Sequence, residues 1–301
     1  MKSVIISAGS DLGVHIDGAK LGPKQLINDV KSFYKGEVEE FIQDETIIKS
    51  RNLSDRSKNK YEVNNLNEKM YKSILSRIKD GYFPITLGGD HTVAIPSSLA
   101  DVNENIDVGM IWIDAHTDYN TFKTTTTGNL HGLPLAAITG YECEELRLFH
   151  KGEIIQPAKT VVIGARSIDP GEKDNLRYAG VTVFTTDDIK REGAKAICEK
   201  AFEIAGYKTK SIHISYDLDV IDPDIAPGVS VPEFDGIDEG QAMEICDSII
   251  EHFDKVSSFD LVEFNPLRDV NRKTEQIALN ILAKIIKEVE KLPDNEEKNI
   301  M

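Results

Sequence analysis

The chain has 301 residues and carries 51 acidic residues against 35 basic ones, a net charge of −16 with histidine neutral. Hydrophobic residues make up 40% of the sequence, a composition typical of a globular protein. The acidic balance argues against a general nucleic-acid-binding protein, which would need a basic surface. The negative charge is compatible with binding of metal ions or cationic ligands. It is equally compatible with a role only in keeping the protein in solution.

The sequence predicts neither export nor membrane insertion. Its apolar start, MKSVIISAGSDLG, fits a first strand better than a signal peptide because no cleavage site follows it. No stretch approaches the roughly 18 apolar residues that a membrane helix needs. The cysteines, Cys143, Cys198 and Cys246, are far apart and suit neither a disulfide framework nor a zinc knuckle. We therefore expect a cytoplasmic protein with reduced thiols and no membrane contact.

Short apolar segments alternate with helical ones along the chain. Strands are predicted over residues 4–8, 82–87, 108–114, 160–164, 181–184, 211–217 and 258–263. Helices are predicted over residues 22–34, 63–79, 187–205, 240–253 and 271–291. Several strands, such as VGMIWID, are apolar throughout, which is typical of a parallel sheet buried on both faces. The alternation predicts a doubly wound α/β fold.

Nothing in the sequence divides the chain into separate units. It contains no internal repeat and no linker rich in proline, glycine or serine, so we expect one domain over residues 1–301. Residues 43–60 are polar and predict a long surface loop, and residues 293–301 predict a flexible tail.

Histidine and acidic residues collect where the predicted strands end. His91 follows a strand in the turn GGDH, whose glycines allow a tight turn; alone, such a turn is equally explained by helix capping. Asp114, His116 and Asp118 alternate after the strand VGMIW, and alternate side chains of an extended segment lie on one face. A carboxylate, an imidazole and a carboxylate in this pattern indicate a divalent metal ion.

Two further strands end in acidic residues. Asp217 and Asp219 follow SIHISY, and two carboxylates so close repel each other unless a cation neutralises them, although solvated turn aspartates remain an alternative. Glu263 ends the strand FDLV and by itself is equally a cap or a surface ion pair. All of these groups fall at the carboxyl ends of strands, the edge where open α/β sheets bind ligands.

The best candidate ligands are two imidazoles and four carboxylates: His91, His116, Asp114, Asp118, Asp217 and Asp219. They are too many for one catalytic zinc ion and indicate a binuclear site with bridging carboxylates. Mostly oxygen ligands with one histidine per ion favour Mn²⁺, with Zn²⁺, Co²⁺ and Ni²⁺ left open. Two ions can lower the pKa of a shared water, which predicts metal-assisted hydrolysis.

The stretches LGGDHTVAIPS, WIDAHTDYN and SYDLDVIDPDIAPG resemble the signatures of the ureohydrolase family, which includes arginase, agmatinase, guanidinobutyrase and formimidoylglutamase. The resemblance covers nearly the whole chain and is closest to arginase. It implies a three-layer α/β/α fold of the arginase/deacetylase type, with a central, mostly parallel sheet. It further implies two Mn²⁺ ions per subunit, hydrolysis of a guanidino group to urea, and a homo-oligomer, either a trimer or a hexamer.

The resemblance also implies roles for the candidate residues. One ion would be bound by His91, Asp114, Asp118 and Asp217, and the other by Asp114, His116, Asp217 and Asp219. Asp114 and Asp217 would then bridge the two ions. A bridging hydroxide would attack the guanidinium carbon, Asp118 would move its proton to the leaving amine, and Glu263 would pair with the guanidinium group.

Residues outside the metal ligands resemble those of arginase and favour L-arginine as the substrate. Asn120 and Thr127 match the positions that hold the α-carboxylate. Asp169 and Glu172 match those that hold the α-amino group, whereas without the resemblance their DPGE run would be interpreted as a helix cap. His131 matches the proposed proton shuttle or general acid. Agmatine has no carboxylate, so both sets together predict hydrolysis of L-arginine to L-ornithine and urea.

One segment departs from the family pattern. Where the family usually reads VGTPxxGG, residues 229–236 read VSVPEFDG, so that Val231 replaces a threonine and Asp235 a glycine. This segment lies near the site in the family, so its changes leave open a different rate, substrate fit or metal occupancy. The alternatives to an arginase are an agmatinase, a guanidinobutyrase, a formimidoylglutamase or a metal-binding member without catalytic activity, and the changed segment favours the last of these.

Overall fold

An eight-stranded sheet runs through the computed structural model, which describes residues 1–49, 55, 57–105 and 107–293. The strands are β1 (Ser3–Gly9), β2 (Glu37–Ile42), β3 (Phe83–Gly88), β4 (Val108–Ile113), β5 (Thr160–Ala165), β6 (Thr182–Thr185), β7 (Ser211–Asp217) and β8 (Val256–Val262). Their order in the sheet is β2-β1-β3-β8-β7-β4-β5-β6, and each pairing between neighbours is parallel. The predicted α/β fold with a parallel sheet is confirmed.

Helices cover both faces of this sheet. They are α1 (Gly22–Val30), α2 (Lys60–Lys79), α3 (Ala94–Asn105), α4 (Pro134–Ile138), α5 (Pro170–Ala179), α6 (Thr186–Glu192), α7 (Ala194–Ala205), α8 (Glu239–Glu251) and α9 (Lys273–Lys291). Successive residues of β1 belong to different cores: Ile5 packs with α1 and α7 to α9, whereas Val4 and Ile6 pack with α2 to α4. The sheet is therefore buried on both faces, which explains its continuously apolar strands.

The elements that the sequence pattern missed have physical explanations. Strand β2, EVEEFI, lies at the sheet edge and faces solvent, so it needs no apolar run. The helix predicted over residues 187–205 is two helices, because Gly193 adopts φ +90° between α6 and α7. Helices α3 to α5 were not predicted. Residues 50–54 and 56 of the predicted surface loop, and the predicted tail beyond Pro293, lie outside the described residues.

The sheet order brings the motifs together. Strands β3, β8, β7 and β4 are consecutive neighbours, and their carboxyl ends lead into His91, Glu263, Asp217 and Asp114. In the described part of the chain, no helix is both long enough and apolar enough to cross a membrane.

Candidate metal centre

A tight turn between β3 and α3 delivers His91 to the site. A Cβ atom on Gly89 would lie 1.9 Å from the carbonyl oxygen of Ser10, so this position requires glycine because of close backbone approach. The Asp90 side chain then accepts a hydrogen bond from the Thr92 amide at 2.9 Å, which caps the following helical turn. The GGDH turn therefore serves both of the roles that the sequence left open, since it caps a helix and displays His91.

The imidazole of His91 faces three carboxylates. Its Nδ1 lies 3.2 Å from an oxygen of Asp114, 3.2 Å from one of Asp118 and 3.1 Å from one of Asp217. This nitrogen is buried and has no hydrogen-bond partner among the described residues. A ring nitrogen and three carboxylate oxygens that converge in this way form a ligand set suited to a divalent cation.

A second group of ligands surrounds His116. Its Nδ1 lies 2.9 Å from Oδ2 of Asp219 and 3.4 Å from Oδ1 of Asp114. The ligand atoms of these three residues all lie within 4.8 Å of one another, and so do those of His91, Asp114 and Asp118. Asp114 is common to both groups, the position that a bridging ligand would take.

The buried acidic side chains need a neutralising partner. Burial, followed by the charges of Asp219 and Asp114, raises the pKa of Asp217 well above its usual range. Burial and the charge of Asp114 raise the pKa of Asp118 to about 7. Such a cluster is unfavourable unless protons or a cation neutralise it. Oδ1 of Asp217 accepts the amide of Asp219 at 2.8 Å, and the bridging role of Asp217 stays a prediction.

Polar and aromatic contacts from neighbouring residues orient the His91 ring and the Asp114 carboxylate. The other ring nitrogen of His91, Nε2, lies 2.9 Å from the Ser215 hydroxyl, which leaves Nδ1 directed at the carboxylates. The indole of Trp112 stacks on the His91 ring at 3.9 Å between centroids. Its N–H donates to Oδ2 of Asp114 at 2.8 Å. These contacts fix the orientation of two candidate ligands at once.

Glu263 and His131 lie beside the ligand cluster. Oε1 of Glu263 accepts the His91 amide at 2.9 Å and lies 3.0 Å from Nδ1 of His131, while Oε2 is buried without a partner among the described residues. Glu263 adopts φ +67° and Asp118 φ +46°, uncommon conformations that cluster at functional sites. Burial lowers the pKa of His131, but the charge and hydrogen bond of Glu263, together with the charges of Asp118 and Asp90, outweigh burial and raise that pKa.

Two of the predicted substrate contacts are in direct contact with each other. The Asn120 amide donates to Oδ2 of Asp169 at 3.1 Å, so a predicted carboxylate holder and a predicted amine holder are adjacent. Thr127 is exposed on the following loop, where its hydroxyl accepts the Asn129 amide at 3.2 Å.

The carboxylate of Glu172 is hydrogen-bonded to other residues of this chain. Its carboxylate accepts hydrogen bonds from the Thr117 hydroxyl, the Tyr119 amide and the Asp169 amide, each at 2.9 Å. Asp169 and Glu172 form the capping box of α5, as the DPGE run by itself indicates. Burial raises the pKa of Glu172. Direct contact of Glu172 with a substrate amine stays a prediction.

The sequence patterns missed three residues near this site. Nδ1 of His15 lies 2.8 Å from the Asn129 amide, and the buried ammonium of Lys58 donates to the Thr127 carbonyl. Oε1 of Glu233 lies 3.5 Å from Nε2 of His116. Glu233 falls in the segment that departs from the family pattern, a usable signal, whereas no local pattern marks His15 or Lys58.

Comparison with known proteins identifies the family that this chain resembles. The family model described as the arginase family matches residues 1–287. An arginase from Bacillus caldovelox is 32% identical over 299 residues, which cover 94% of this chain and 97% of the relative. The native structure of Bacillus caldovelox arginase at pH 5.6 has a TM-score of 0.88 at 30% identity, covering 95% of this chain and 98% of that one. Entamoeba histolytica arginase in complex with L-ornithine has a TM-score of 0.83 at 27% identity, covering 97% and 98%.

Proposed function

The chain belongs to the arginase family, and on that basis we propose that it is a binuclear manganese enzyme that hydrolyses L-arginine to L-ornithine and urea. The observation that carries the proposal is the buried Nδ1 of His91, which has no hydrogen-bond partner among the described residues and faces three carboxylate oxygens at 3.1–3.2 Å. The donor set of imidazole nitrogen and carboxylate oxygen fits Mn²⁺.

The ions would be held by six residues: His91, Asp114, Asp118, Asp217, His116 and Asp219. When bound, two Mn²⁺ ions supply the Lewis acidity that lets water act as a nucleophile near neutral pH. The protein contributes rigidity, because Ser215 and Trp112 orient His91 and Asp114 before any ion arrives.

Glu263 and His131 would act on the guanidino group. Oε2 of Glu263 is a buried acceptor without a partner among the described residues, and a cationic guanidinium N–H would satisfy it. The raised pKa of His131 keeps its ring protonated to a higher pH than an ordinary histidine. His131 would therefore serve as a proton shuttle or general acid. Asp118, which is ionised when it binds metal, would accept the proton of the attacking water and pass it to the leaving amine.

The other end of the substrate is an α-amino acid head, which carries a carboxylate and an ammonium on one carbon. Its holders must be neighbours, and Asn120 and Asp169 are 3.1 Å apart. Lys58 adds a buried cation at the loop of Thr127, which favours a substrate carboxylate. The Entamoeba histolytica relative was solved with L-ornithine, which has the same head. These features favour L-arginine over agmatine.

We further propose that the chain forms one domain over residues 1–301 and works as a cytoplasmic homo-oligomer, a trimer or a hexamer. Sedimentation of the purified protein measures the oligomer directly, and a monomer would contradict it.

A substrate panel tests the proposed function. Protein reconstituted with Mn²⁺ is expected to release urea and ornithine from L-arginine, with the metal content measured in the same sample. Agmatine, guanidinobutyrate and formimidoylglutamate serve as comparison substrates. Urea from agmatine but not from L-arginine would overturn the substrate assignment. Two bound ions without turnover of any compound would identify a non-catalytic member.

A further inference from the structure

We propose that Glu233 is a positioning residue for the metal ligand His116, and that it sets the affinity of one of the two metal positions. The proposal rests on the proposed function only in taking His116 as a ligand. Glu233 lies in the segment VSVPEFDG, at a position that the family pattern VGTPxxGG leaves open.

The two ring nitrogens of His116 face different carboxylates. Nδ1 points to the candidate ligands, 2.9 Å from Asp219, and Nε2 lies 3.5 Å from Oε1 of Glu233. A neutral imidazole carries its proton on one nitrogen only. The negative charge behind Nε2 favours the proton there, so that the Nδ1 lone pair remains directed at the metal position.

Glu233 is held in place by groups that also contact the ligand segment. The guanidinium of Arg166 donates to the carbonyls of Glu233 at 2.8 Å, Phe234 at 3.0 Å and Asp219 at 2.8 Å. The Ser167 hydroxyl donates to Oε1 of Glu233 at 3.0 Å. One cation therefore joins the departing segment to the backbone of a candidate metal ligand, and a hydroxyl orients the carboxylate.

The rings of His91 and His116 differ in solvent exposure and in the group that faces the nitrogen directed away from the metal position. His91 has a side chain that is 1% exposed and is backed by a neutral hydroxyl, that of Ser215. His116 is 21% exposed, so water competes more easily for its ring, and it is backed by a carboxylate. A carboxylate raises the basicity of an imidazole ligand more than a hydroxyl does. Glu233 therefore compensates for the exposure of this metal position.

Removing the charge of Glu233 in the full-length chain tests the proposal. Glu233→Gln is compared with Asp235→Asn, which removes one charge from the same segment at an exposed residue with φ +62°, a conformation that asparagine tolerates. Mn²⁺ binding is followed by calorimetry, by metal content after dialysis and by the electron paramagnetic resonance signal of the coupled ion pair. The melting temperature of the metal-free protein is recorded for each variant.

Glu233→Gln is expected to weaken one of the two Mn²⁺ positions by about 10–100-fold, with loss of the coupled signal at limiting metal. The other position and the metal-free melting temperature stay unchanged, and Asp235→Asn behaves as the wild type. Wild-type affinity at both positions in Glu233→Gln, equal weakening by Asp235→Asn, or a lower metal-free melting temperature in Glu233→Gln overturns the proposal. Because no substrate is used, a protein that fails to hydrolyse L-arginine yet shows this selective loss contradicts only the proposed function.

Discussion

Oε1 of Glu263 lies 3.0 Å from Nδ1 of His131, so two residues that the sequence assigns to separate tasks form one unit. The same oxygen accepts the His91 amide, which connects the unit to the ligand cluster. The second oxygen of Glu263 remains available for a cation. If Glu263 binds the guanidinium group as proposed, this binding and the protonation of His131 would be coupled through one carboxylate.

Removing the charge of Glu263 should change the titration of His131. Burial lowers the pKa of His131 and Glu263 raises it, with a net increase, so Glu263→Gln should shift this pKa downward and the ring should lose its proton at lower pH. Histidine side-chain NMR of the metal-free protein measures the shift, with His131→Asn to assign the resonance. Glu239→Gln, an exposed charge at the start of α8, is the control. An unchanged titration in Glu263→Gln would contradict the coupling.

The hydroxyl of Thr127 should discriminate between substrates with and without a carboxylate. Thr127→Val removes a donor to the charged α-carboxylate, a loss of about 1.5–3 kcal/mol, and should raise KM for L-arginine by roughly 10- to 150-fold. Activity on agmatine, which has no carboxylate, should change little. Steady-state kinetics on both substrates gives the comparison.

Thr126→Val is the matched control. Thr126 is the neighbouring residue and is also exposed, so this substitution removes an equivalent hydroxyl group from the same loop. We expect wild-type kinetics from it. Equal losses in the two variants, or equal losses on the two substrates, would show that Thr127 does not contact the carboxylate.

Asp217 should destabilise the protein when no metal is bound. It is buried beside Asp219 and Asp114, so Asp217→Asn removes repulsion and should raise the melting temperature of the metal-free protein. In the wild type, Mn²⁺ at 100 times its dissociation constant should add about 2.7 kcal/mol of stability, and this gain should disappear in the variant. Calorimetry with Mn²⁺ and with a chelator measures both effects, and the exposed Asp224→Asn is the control. A variant that keeps the full gain refutes the ligand role.

Trp112 should report metal binding. It is the only tryptophan of the chain, stacks on His91 and donates to Asp114, so a paramagnetic ion at these ligands lies close to the fluorophore. Mn²⁺ should quench its emission in a saturable titration, and a chelator should restore it. In Asp114→Asn the titration should weaken strongly. Emission that does not respond to Mn²⁺ in the wild type would place the metal elsewhere.

Much of the fold follows from local patterns in the sequence. Strand β7 begins and ends at the predicted residues, although His213 and Ser215 are buried polar residues within it. Strand β2 escapes prediction because it lies at the sheet edge, where charged residues are tolerated. Helix α3, whose residues from Ala94 to Val102 are all buried, lacks the polar face on which helix prediction relies.

The sequence by itself determined which side chains are candidates for chemistry, since the spacing of Asp114, His116 and Asp118 after an apolar strand is a local property of an extended chain. Only the tertiary structure decided that β3, β8, β7 and β4 are neighbours and that Asn120 meets Asp169 and Glu233 faces His116. Strand order and these pairings arise from packing between segments far apart in the chain, and periodicity within one segment carries no information about its distant partner.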